Sequence, residues 1–595
     1  MKIKKFTYKS ILLLALAGII TSCDLDAPTK SATDESIVYS NYVIAEAAVV
    51  GICNSFASVN SYRGRFLPYY GINSDVEWIN NMPENGLNIA DDGKYELAGY
   101  AARPSNGQMN TPDNAWSAFY EGIERANLCI RGLRAYGNIE QDKNMAQLLG
   151  EALTLRSVIY LDLVKGWGDV PARFEPIGSE TLYIPRSDRD IIYKQLLADL
   201  LEAESLVAWP NETQVTSSVE RINKSFVKGL RARVALYAGG YSQRKDGVRR
   251  STDPELAPEK MYAIAKEECL DVINRNANKL GTFEENFKKL CQDNIAAGGE
   301  SLWEIPFNDE PARGRVVFTL GVLHQSVDQY TGQNKGGVNG PLPNLFYDYD
   351  VQDVRRDITC VPYEWSKENP SKQQLRSLKS WCFGKLRYEW MKRYVTSTND
   401  DGVNWQYMRL ADVYMMAAEA INELEGPGNA AQYLKPILDR ALPAAKVNAY
   451  MTTATAGKDA FFKAIVDQRA LEFAGESLRK ADLIRWNILK TKLDEAKAKM
   501  VQLANRQGAY ADLPESLYHK IAADGETLVI YGLNHGETDA VGATLSGYEK
   551  TSWISATKLP EPMINSLYQK DPNQNQFWPI WQYFVSTSNG TLTND

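Results

Sequence analysis

The sequence predicts a mainly α-helical protein, a tetratricopeptide-like scaffold that carries a loop-rich irregular insertion. Apolar residues recur at helical spacing in several long segments, and these segments follow one another in pairs. The pairs have no regular repeat length, so the predicted stack is degenerate. The helical spacing fades between about 281 and 400 and again from about 500 onward, where glycine, proline, asparagine and aromatic residues dominate.

The first element along the chain is an export signal. Lysines precede an apolar run at 11–20, which is shorter than the roughly 20 residues that cross a membrane. This order is typical of a secretory signal. Ile20 lies three residues before Cys23 and Ser22 directly before it, as in a bacterial lipobox. We predict a signal peptide at 1–22 and a lipid on Cys23; the alternative is an ordinary cleaved signal with an incidental cysteine.

The remaining residues, 23–595, are predicted to form one domain, because no low-complexity linker divides them. Its helical scaffold is expected at about 35–280 and 405–490, and its loop-rich parts at about 281–404 and 491–595. The segment "NMAQLLGEALTLRSVIYLDLVKGWGDVP" has a helical apolar stripe that Gly166 and Pro171 end. Strong helices are also predicted near 407–425 and 458–474.

Composition excludes several classes of function. The 595-residue chain has a formal net charge of −8 and no long basic run, which argues against nucleic acid as its main partner. No C-x-x-C spacing occurs, so zinc and redox motifs are not supported. Cys129 and Cys269 are predicted to be buried thiols, whereas Cys360 and Cys382 could pair in an exported protein, which the sequence leaves open.

A charged cluster near the last helices could be mistaken for an acid/base site. Glycosidases need two carboxyl groups roughly 5–10 Å apart, and Glu472 and Glu476 lie four residues apart. Each also has a cation three or four positions away, which is the spacing of helix-surface ion pairs. We therefore predict a structural role for the cluster and no catalytic residue.

Aromatic residues beside amides and carboxylates point to sugar binding. Tyrosine and tryptophan rings stack on the apolar faces of sugars, and polar side chains bind the hydroxyl groups. The stretches "YYGINSDVEWINN", "HQSVDQYTGQNKG" and "VPYEWSKENP" combine these residue types. The candidate ligand-binding residues are Asp75, Trp78, Asn80, Asn81, Tyr330, Gln333, Asn334, Tyr363 and Trp365. The alternative for each aromatic residue is a place in the core, and that alternative is favoured for Trp116, Trp167 and Trp486.

Several ordered motifs along most of the chain resemble the SusD/RagB family of outer-membrane nutrient-binding lipoproteins of Bacteroidetes. They are Leu25-Asp26-Ala27-Pro28 after the cysteine, Trp116 with Tyr120, Ile123 and Asn127, the run Ala152 to Pro171, "LWEIPF" at 302–307, Arg409 to Glu423, and Glu472 to Trp486. The family's C-terminal element survives only in part, around Leu559 to Pro562. In the family, ligand residues come from about the regions that hold the aromatic candidates.

The resemblance implies a non-catalytic, lipid-anchored, surface-exposed protein of the outer membrane. Such a protein captures an oligosaccharide or polysaccharide and delivers it to a SusC-like TonB-dependent transporter. A peptide ligand, as for the RagB branch, is the alternative, and a glycoside hydrolase has little support. No cofactor is expected beyond the lipid on Cys23. The ligand's identity, linkage and length, and any Ca²⁺ binding, stay open.

Overall fold

The computed structural model describes residues 34–58, 60–307, 313–397 and 399–594. Its helices of nine or more residues are α1 Tyr42–Val50, α2 Ala115–Tyr136, α3 Lys143–Trp167, α4 Arg189–Leu206, α5 Lys224–Ala238, α6 Pro258–Arg275, α7 Phe283–Cys291, α8 Leu410–Glu425, α9 Pro427–Asp439, α10 Ala444–Ala454, α11 Lys458–Phe473 and α12 Leu489–Ala504. Shorter helices include Glu35–Ser40, Val316–Leu320 and Arg479–Arg485. The mainly α fold class is confirmed.

Successive helices pack side by side from α2 to α6. Helix α2 contacts α3, α3 contacts α4, α4 contacts α5 and α5 contacts α6, and α6 then packs on α8. Each helix buries its apolar stripe against its neighbours, which is how helical repeats build a continuous core. Helix α4 begins after Asp188, whose carboxylate accepts a hydrogen bond from the Asp190 backbone N–H.

The strands are short and form small antiparallel sheets. They are β1 Glu77–Ile79, β2 Ser242–Arg244, β3 Gly247–Arg249, β4 Ser301–Ile305, β5 Asn339–Pro341, β6 Cys360–Val361, β7 Tyr363–Trp365, β8 Gln373–Leu375, β9 Cys382–Phe383, β10 Trp405–Arg409, β11 Ser516–Ile521, β12 Leu528–Tyr531 and β13 Glu549–Ser552. Strand β1 pairs with β5, β4 with β10, β6 with β9 and β7 with β8, and β11 lies between β12 and β13.

Three tryptophans in the scaffold motifs lie in the core, as the sequence predicts. Trp116 and Trp167 are each 4% exposed, and Trp486 is 9% exposed. The rings of Trp116 and Trp167 meet edge to face, with their centroids 5.5 Å apart. This geometry adds a specific attraction to the area that the two rings bury.

Cys360 and Cys382 do not pair, although they lie on neighbouring strands. Opposite residues of an antiparallel pair share a face, and Cys360 lies opposite Phe383 whereas Cys382 lies opposite Val361. The two thiols therefore point to opposite faces of the pair, and both are free. Cys129 and Cys269 are buried thiols, as expected.

Within the described ranges, no helix has both the length and the apolar character to cross a membrane. The predicted signal peptide and Cys23 lie outside these ranges. The division into a signal peptide and one domain therefore stays a prediction.

Candidate functional site

The candidate ligand residues fall into two groups in the structure. Asp75, Trp78, Asn80 and Asn81 lie on and beside strand β1. Tyr330, Tyr363 and Trp365 come together elsewhere, on strand β7 and the loop before β5. Trp78 and Trp365 belong to different apolar clusters.

Trp78 is a core residue in a strand, not an exposed ring in a loop. Its side chain is 0% exposed, and its backbone lies opposite Gly340 in the β1–β5 pair. It packs in a cluster with Leu342, Leu483 and Met500. The alternation of apolar and polar residues that marks a strand is absent from β1, because all three of its residues are buried. In this position the Trp78 ring is closed to any ligand.

The polar neighbours of Trp78 hold the chain together. Asn80 donates to the carbonyl oxygens of Gly337 at 2.9 Å and Trp381 at 3.0 Å. The Asp75 carboxylate accepts two hydrogen bonds from Arg479, at 2.7 and 2.6 Å. Asn81 alone is exposed. These groups therefore stabilise the fold around β1, and they do not surround an open ring.

The second group forms an aromatic cluster, which we define as His324, Tyr330, Tyr363 and Trp365. The centroids of the Tyr330 and Trp365 rings lie 4.7 Å apart, and the His324 ring stacks near Trp365 at 5.7 Å. Tyr363 and Trp365 lie two residues apart on β7 and so point to one face of the strand. Trp365 is only 3% exposed, whereas Tyr330 and Tyr363 are half-buried. The two tyrosines are therefore the rings that a ligand can reach.

The turn before Tyr330 is fixed by Asp328. One of its carboxylate oxygens accepts from the backbone N–H groups of Tyr330 at 2.9 Å and Thr331 at 3.1 Å. Its other oxygen lies 2.6 Å from Nδ1 of His324, which is fully buried. This pair ties the Tyr330 turn to the ring that lies behind Trp365.

His324 lies between two carboxylates. Its Nε2 is 3.6 Å from Glu389 Oε2. Burial by itself would lower the pKa of His324, but the hydrogen bond to Asp328 and the negative charges of Asp328 and Glu389 raise the pKa above its ordinary value. Burial would raise the pKa of Glu389, and the interactions with His324 and Arg387 lower it. The two carboxylates therefore favour the imidazolium form of His324.

Amide and carboxylate side chains lie beside Tyr330 and, with Glu364, on the face of β7 opposite Tyr363 and Trp365. The Tyr330 hydroxyl donates to Glu526 at 2.7 Å, and Gln329 donates to the other oxygen of Glu526 at 3.1 Å. Glu364 accepts from Gln325 at 3.0 Å and from Gln374 at 2.8 Å. Such groups can bind sugar hydroxyls as both donors and acceptors.

An open cavity of about 480 Å³ adjoins this cluster. It is lined by Gln325, Ser366, Lys367, Glu368 and Gln374. Ser366 directly follows Trp365, and the Gln325 backbone N–H donates to the Trp365 carbonyl at 3.0 Å. The volume is within the range of small-ligand sites. The residues that line it include neither tyrosine, and Gln374 lies on the face of the β7–β8 hairpin opposite Tyr363.

Two of the predicted residues lie outside this arrangement. Gln333 is 0% exposed and donates to the Asp400 carbonyl at 2.9 Å. Asn334 is exposed, on the loop beyond the Tyr330 turn. The structure thus brings together three of the predicted residues, Tyr330, Tyr363 and Trp365, and leaves Gln333 as an interior hydrogen-bonding residue.

Sequence reasoning missed most of the polar residues around the cluster. Gln374 reaches Glu364 because the β7–β8 hairpin places the two opposite each other. Glu526 comes from the tip of the β11–β12 hairpin, whose backbone accepts from the Gln373 N–H at 2.9 Å. No local signal marks Glu526, since its position depends on the packing of segments far apart in the chain.

The charged cluster of the last helices is buried, not a set of helix-surface pairs. Glu472 is 0% exposed and contacts Arg355 at 3.0 Å, Arg409 at 2.6 Å and Arg440 at 2.5 Å. Burial opposes ionisation, but these guanidinium groups hold the pKa of Glu472 well below its ordinary value. A carboxylate that is permanently ionised, enclosed and triply paired cannot act as a general acid, which leaves Glu472 with the structural role that was predicted.

Comparisons with known proteins agree on one family. A sequence profile described as the SusD family matches residues 303–592, and a SusD-like profile described as starch-binding associating with outer membrane matches residues 80–236. A SusD-like protein of Formosa agariphila is 23% identical over 68% of this chain and 76% of its own length. A second from the same organism is 24% identical over 81% of this chain and 92% of its own length.

Solved structures share the fold. A SusD homologue from Bacteroides thetaiotaomicron superposes with a TM-score of 0.65 at 18% identity, over 80% of this chain and 91% of that one. Surface glycan-binding protein A of the same organism, in complex with laminarihexaose, gives a TM-score of 0.59 at 17% identity, over 92% of this chain and 98% of that one.

Proposed function

The chain belongs to the SusD/RagB family, and from this premise we propose that it captures a glycan and passes it to a SusC-like TonB-dependent transporter. Support for a glycan comes from a relative with the same fold, which was solved in complex with laminarihexaose. The profile that matches residues 80–236 describes starch binding at the outer membrane. A lipid on Cys23 would hold the protein at that membrane.

The observation that carries the proposal is the pair of half-buried tyrosines, Tyr330 and Tyr363, in one aromatic cluster. Tyr330 packs on Trp365 and meets the His324 ring edge to face, and the Tyr363 hydroxyl accepts a hydrogen bond from Arg387 at 2.8 Å, so both rings are held in place. A rigid ring loses little conformational entropy when a sugar stacks on it. An open cavity of about 480 Å³ lies nearby, lined in part by Gln325, whose backbone bonds to Trp365, and by Ser366, which follows it.

The polar rim suits a hydroxyl-rich ligand. Beside Tyr330, Gln329 offers an amide group and Glu526 a carboxylate. On the other face of β7, Gln325, Gln374 and Glu364 offer the same groups beside the cavity. Each can exchange a bond within the protein for one to a hydroxyl group, which allows a site to bind sugars without large rearrangement. We assign no metal or other cofactor to this step.

We assign no catalytic step to this protein. In the most suggestive carboxylate pair of the sequence, Glu472 is buried and paired with Arg409, and the half-buried Glu476 is paired with Arg409 and Lys385. The purified protein should migrate more slowly in native gels that contain a polysaccharide that it binds. When it is incubated with a panel of polysaccharides, it should release no reducing ends from any of them. If no polysaccharide slows the protein in the gel and the protein binds peptides with measurable affinity, the RagB-type alternative is favoured.

The anchor has its own test. Cys23→Ala removes the thiol that would receive the lipid, so an alkyne palmitate analogue should label wild-type cells and not the variant. Ser22→Ala is the matched control, since it keeps the cysteine and a small residue before it. Equal labelling of wild type and Cys23→Ala would contradict the anchor and leave the glycan site unaffected.

A further inference from the structure

Helix α1 exposes an unusual apolar face. Val43 is 71% exposed, Ile44 is 41% exposed and Val50 is 45% exposed. Ala47 is exposed between them. Positions 43, 47 and 50 lie on one side of a helix. We call Val43, Ile44, Ala47 and Val50 the α1 face; contiguous exposed apolar surface of this kind marks a contact site.

The opposite side of α1 is fixed to the scaffold. Ala45 and Val49 are buried, and α1 packs on both α2 and α3. The α1 face therefore stays on the surface as a rigid ridge. Ile37, on the helix Glu35–Ser40 that precedes α1, is 55% exposed and adds apolar surface at the same end of the chain.

The acidic residues next to this face are neutralised. Glu46 pairs with Arg221 at 2.7 Å, and Glu35 pairs with Arg131. A charge that is already paired costs less to bring close to an apolar phase than a free carboxylate does. The surroundings of the α1 face therefore do not oppose contact with lipid.

The face also lies close to the predicted anchor along the chain. From Cys23 to Asp34 the fully extended chain spans at most about 40 Å. A lipid on Cys23 therefore limits the distance of Asp34 from the membrane surface to about 40 Å, which permits contact by α1. Residues 24–33, "DLDAPTKSAT", contain Leu25 as their one large aliphatic side chain, which makes them a poor apolar cover for the face.

The size of the face favours a lipid surface over a protein. A nine-residue helix is about 13 Å long, whereas a stable protein interface buries roughly 800 Å² per partner. An interfacial helix needs only its apolar side chains, which enter the boundary between head groups and acyl chains by about 5–10 Å. A short, convex, uncharged ridge fits that requirement.

We propose that the α1 face docks on the bilayer beside the Cys23 anchor, so that the protein is attached at two points. This inference rests on the lipid anchor of the proposed function. A single attachment at Cys23 would not by itself fix the orientation of the body to the membrane. A second, rigid contact fixes the orientation of the body to the membrane, and therefore the direction in which the aromatic cluster faces.

The test measures what surrounds the α1 face in the full lipidated protein. The purified chain is reconstituted into vesicles of phosphatidylethanolamine and phosphatidylglycerol, with a nitroxide on Val43→Cys or Val50→Cys. Thr453→Cys, on the exposed surface of α10, is the matched control. The unsubstituted chain is labelled in parallel, because Cys53 is half-buried and the other described cysteines are buried. Collision rates with oxygen, which concentrates in lipid, and with a nickel chelate, which stays in water, are then compared.

At positions 43 and 50 the ratio of oxygen to chelate collisions should exceed the ratio at 453 severalfold. Equal ratios at all three positions would place the face in water and overturn the docking. Protection from both reagents would mean that protein covers the face, either residues of this chain or a second copy, and would also overturn it. Mass spectrometry of the same sample shows whether Cys23 carries acyl chains. Their absence would contradict the lipid anchor of the proposed function, and the collision ratio at position 43 would still decide whether the α1 face docks on the bilayer.

Discussion

Replacing Trp78 tests where the binding site lies, because this residue is a candidate for the site by sequence and a core residue in the structure. Trp78→Ala deletes a ring that is 0% exposed, a change that costs roughly 3–5 kcal/mol in well-packed cores. Two features act on this value in opposite directions. The first raises the cost: the backbone of Gly340, opposite Trp78, already lies against the Trp381 carbonyl, so this strand has little room to move into the cavity that the missing ring leaves. Among the described residues the Trp78 indole N–H has no partner, and its removal relieves a cost of about 1–3 kcal/mol.

The expected loss in the free energy of unfolding is therefore about 4 kcal/mol, in the middle of the range for such changes. Urea unfolding followed by circular dichroism measures it, and Trp78→Phe is the control that keeps a buried ring without the unpaired N–H. Trp78→Phe should lose much less stability. Glycan affinity of Trp78→Ala, measured where the variant is still folded, should match wild type. Wild-type stability together with lost binding would refute this reasoning and return Trp78 to the ligand site.

Two further predictions concern buried charge. Glu472→Gln leaves the surrounding guanidinium groups without their carboxylate and should lower the free energy of unfolding by about 3–5 kcal/mol; Glu121→Gln, in an exposed pair with Arg125, should change it by less than about 1 kcal/mol, and similar losses for both would contradict the buried network. Burial raises the pKa of Glu77 to about 8 from an ordinary 4.5. The folded state then holds a proton that the unfolded chain releases between those values, so the Glu77 contribution is fully present below pH 4.5 and falls as the pH rises to 8, by at most about 5 kcal/mol. The stability difference between wild type and Glu77→Gln should therefore change across that range, and a difference that is independent of pH would contradict it.

The helical scaffold could be predicted because its signal is local. The stripes predicted near 407–425 and 458–474 correspond to α8, Leu410–Glu425, and α11, Lys458–Phe473. Each stripe repeats over several turns, so one period decides the assignment. Strand β1 has three residues, all buried, and a segment of that length carries no period from which a strand or its burial could be inferred.

The site was only partly predictable for a related reason. Residue type and neighbourhood pointed to Tyr330, Tyr363 and Trp365, which do meet in space. The same reasoning selected Trp78, because the local sequence of a tryptophan beside asparagines is the same whether the ring lies in a core or in a binding site. Glu526 lies far along the chain from Tyr330, and pairing across such a distance is set by tertiary packing alone.

The central claim is that Tyr330 and Tyr363 form the glycan-binding surface, and calorimetric titration of a paired variant tests it most directly. Tyr330→Ala/Tyr363→Ala is titrated with a polysaccharide that retards the wild-type protein in gels, next to Tyr136→Ala, which removes a 44% exposed tyrosine at the end of α2. Loss of a dominant aromatic anchor costs about 2 kcal/mol or more, so the paired variant should bind more than about tenfold more weakly. Tyr136→Ala should bind as wild type does. Unchanged affinity in the paired variant, with its fold intact by circular dichroism, would contradict the account and move the glycan away from this cluster.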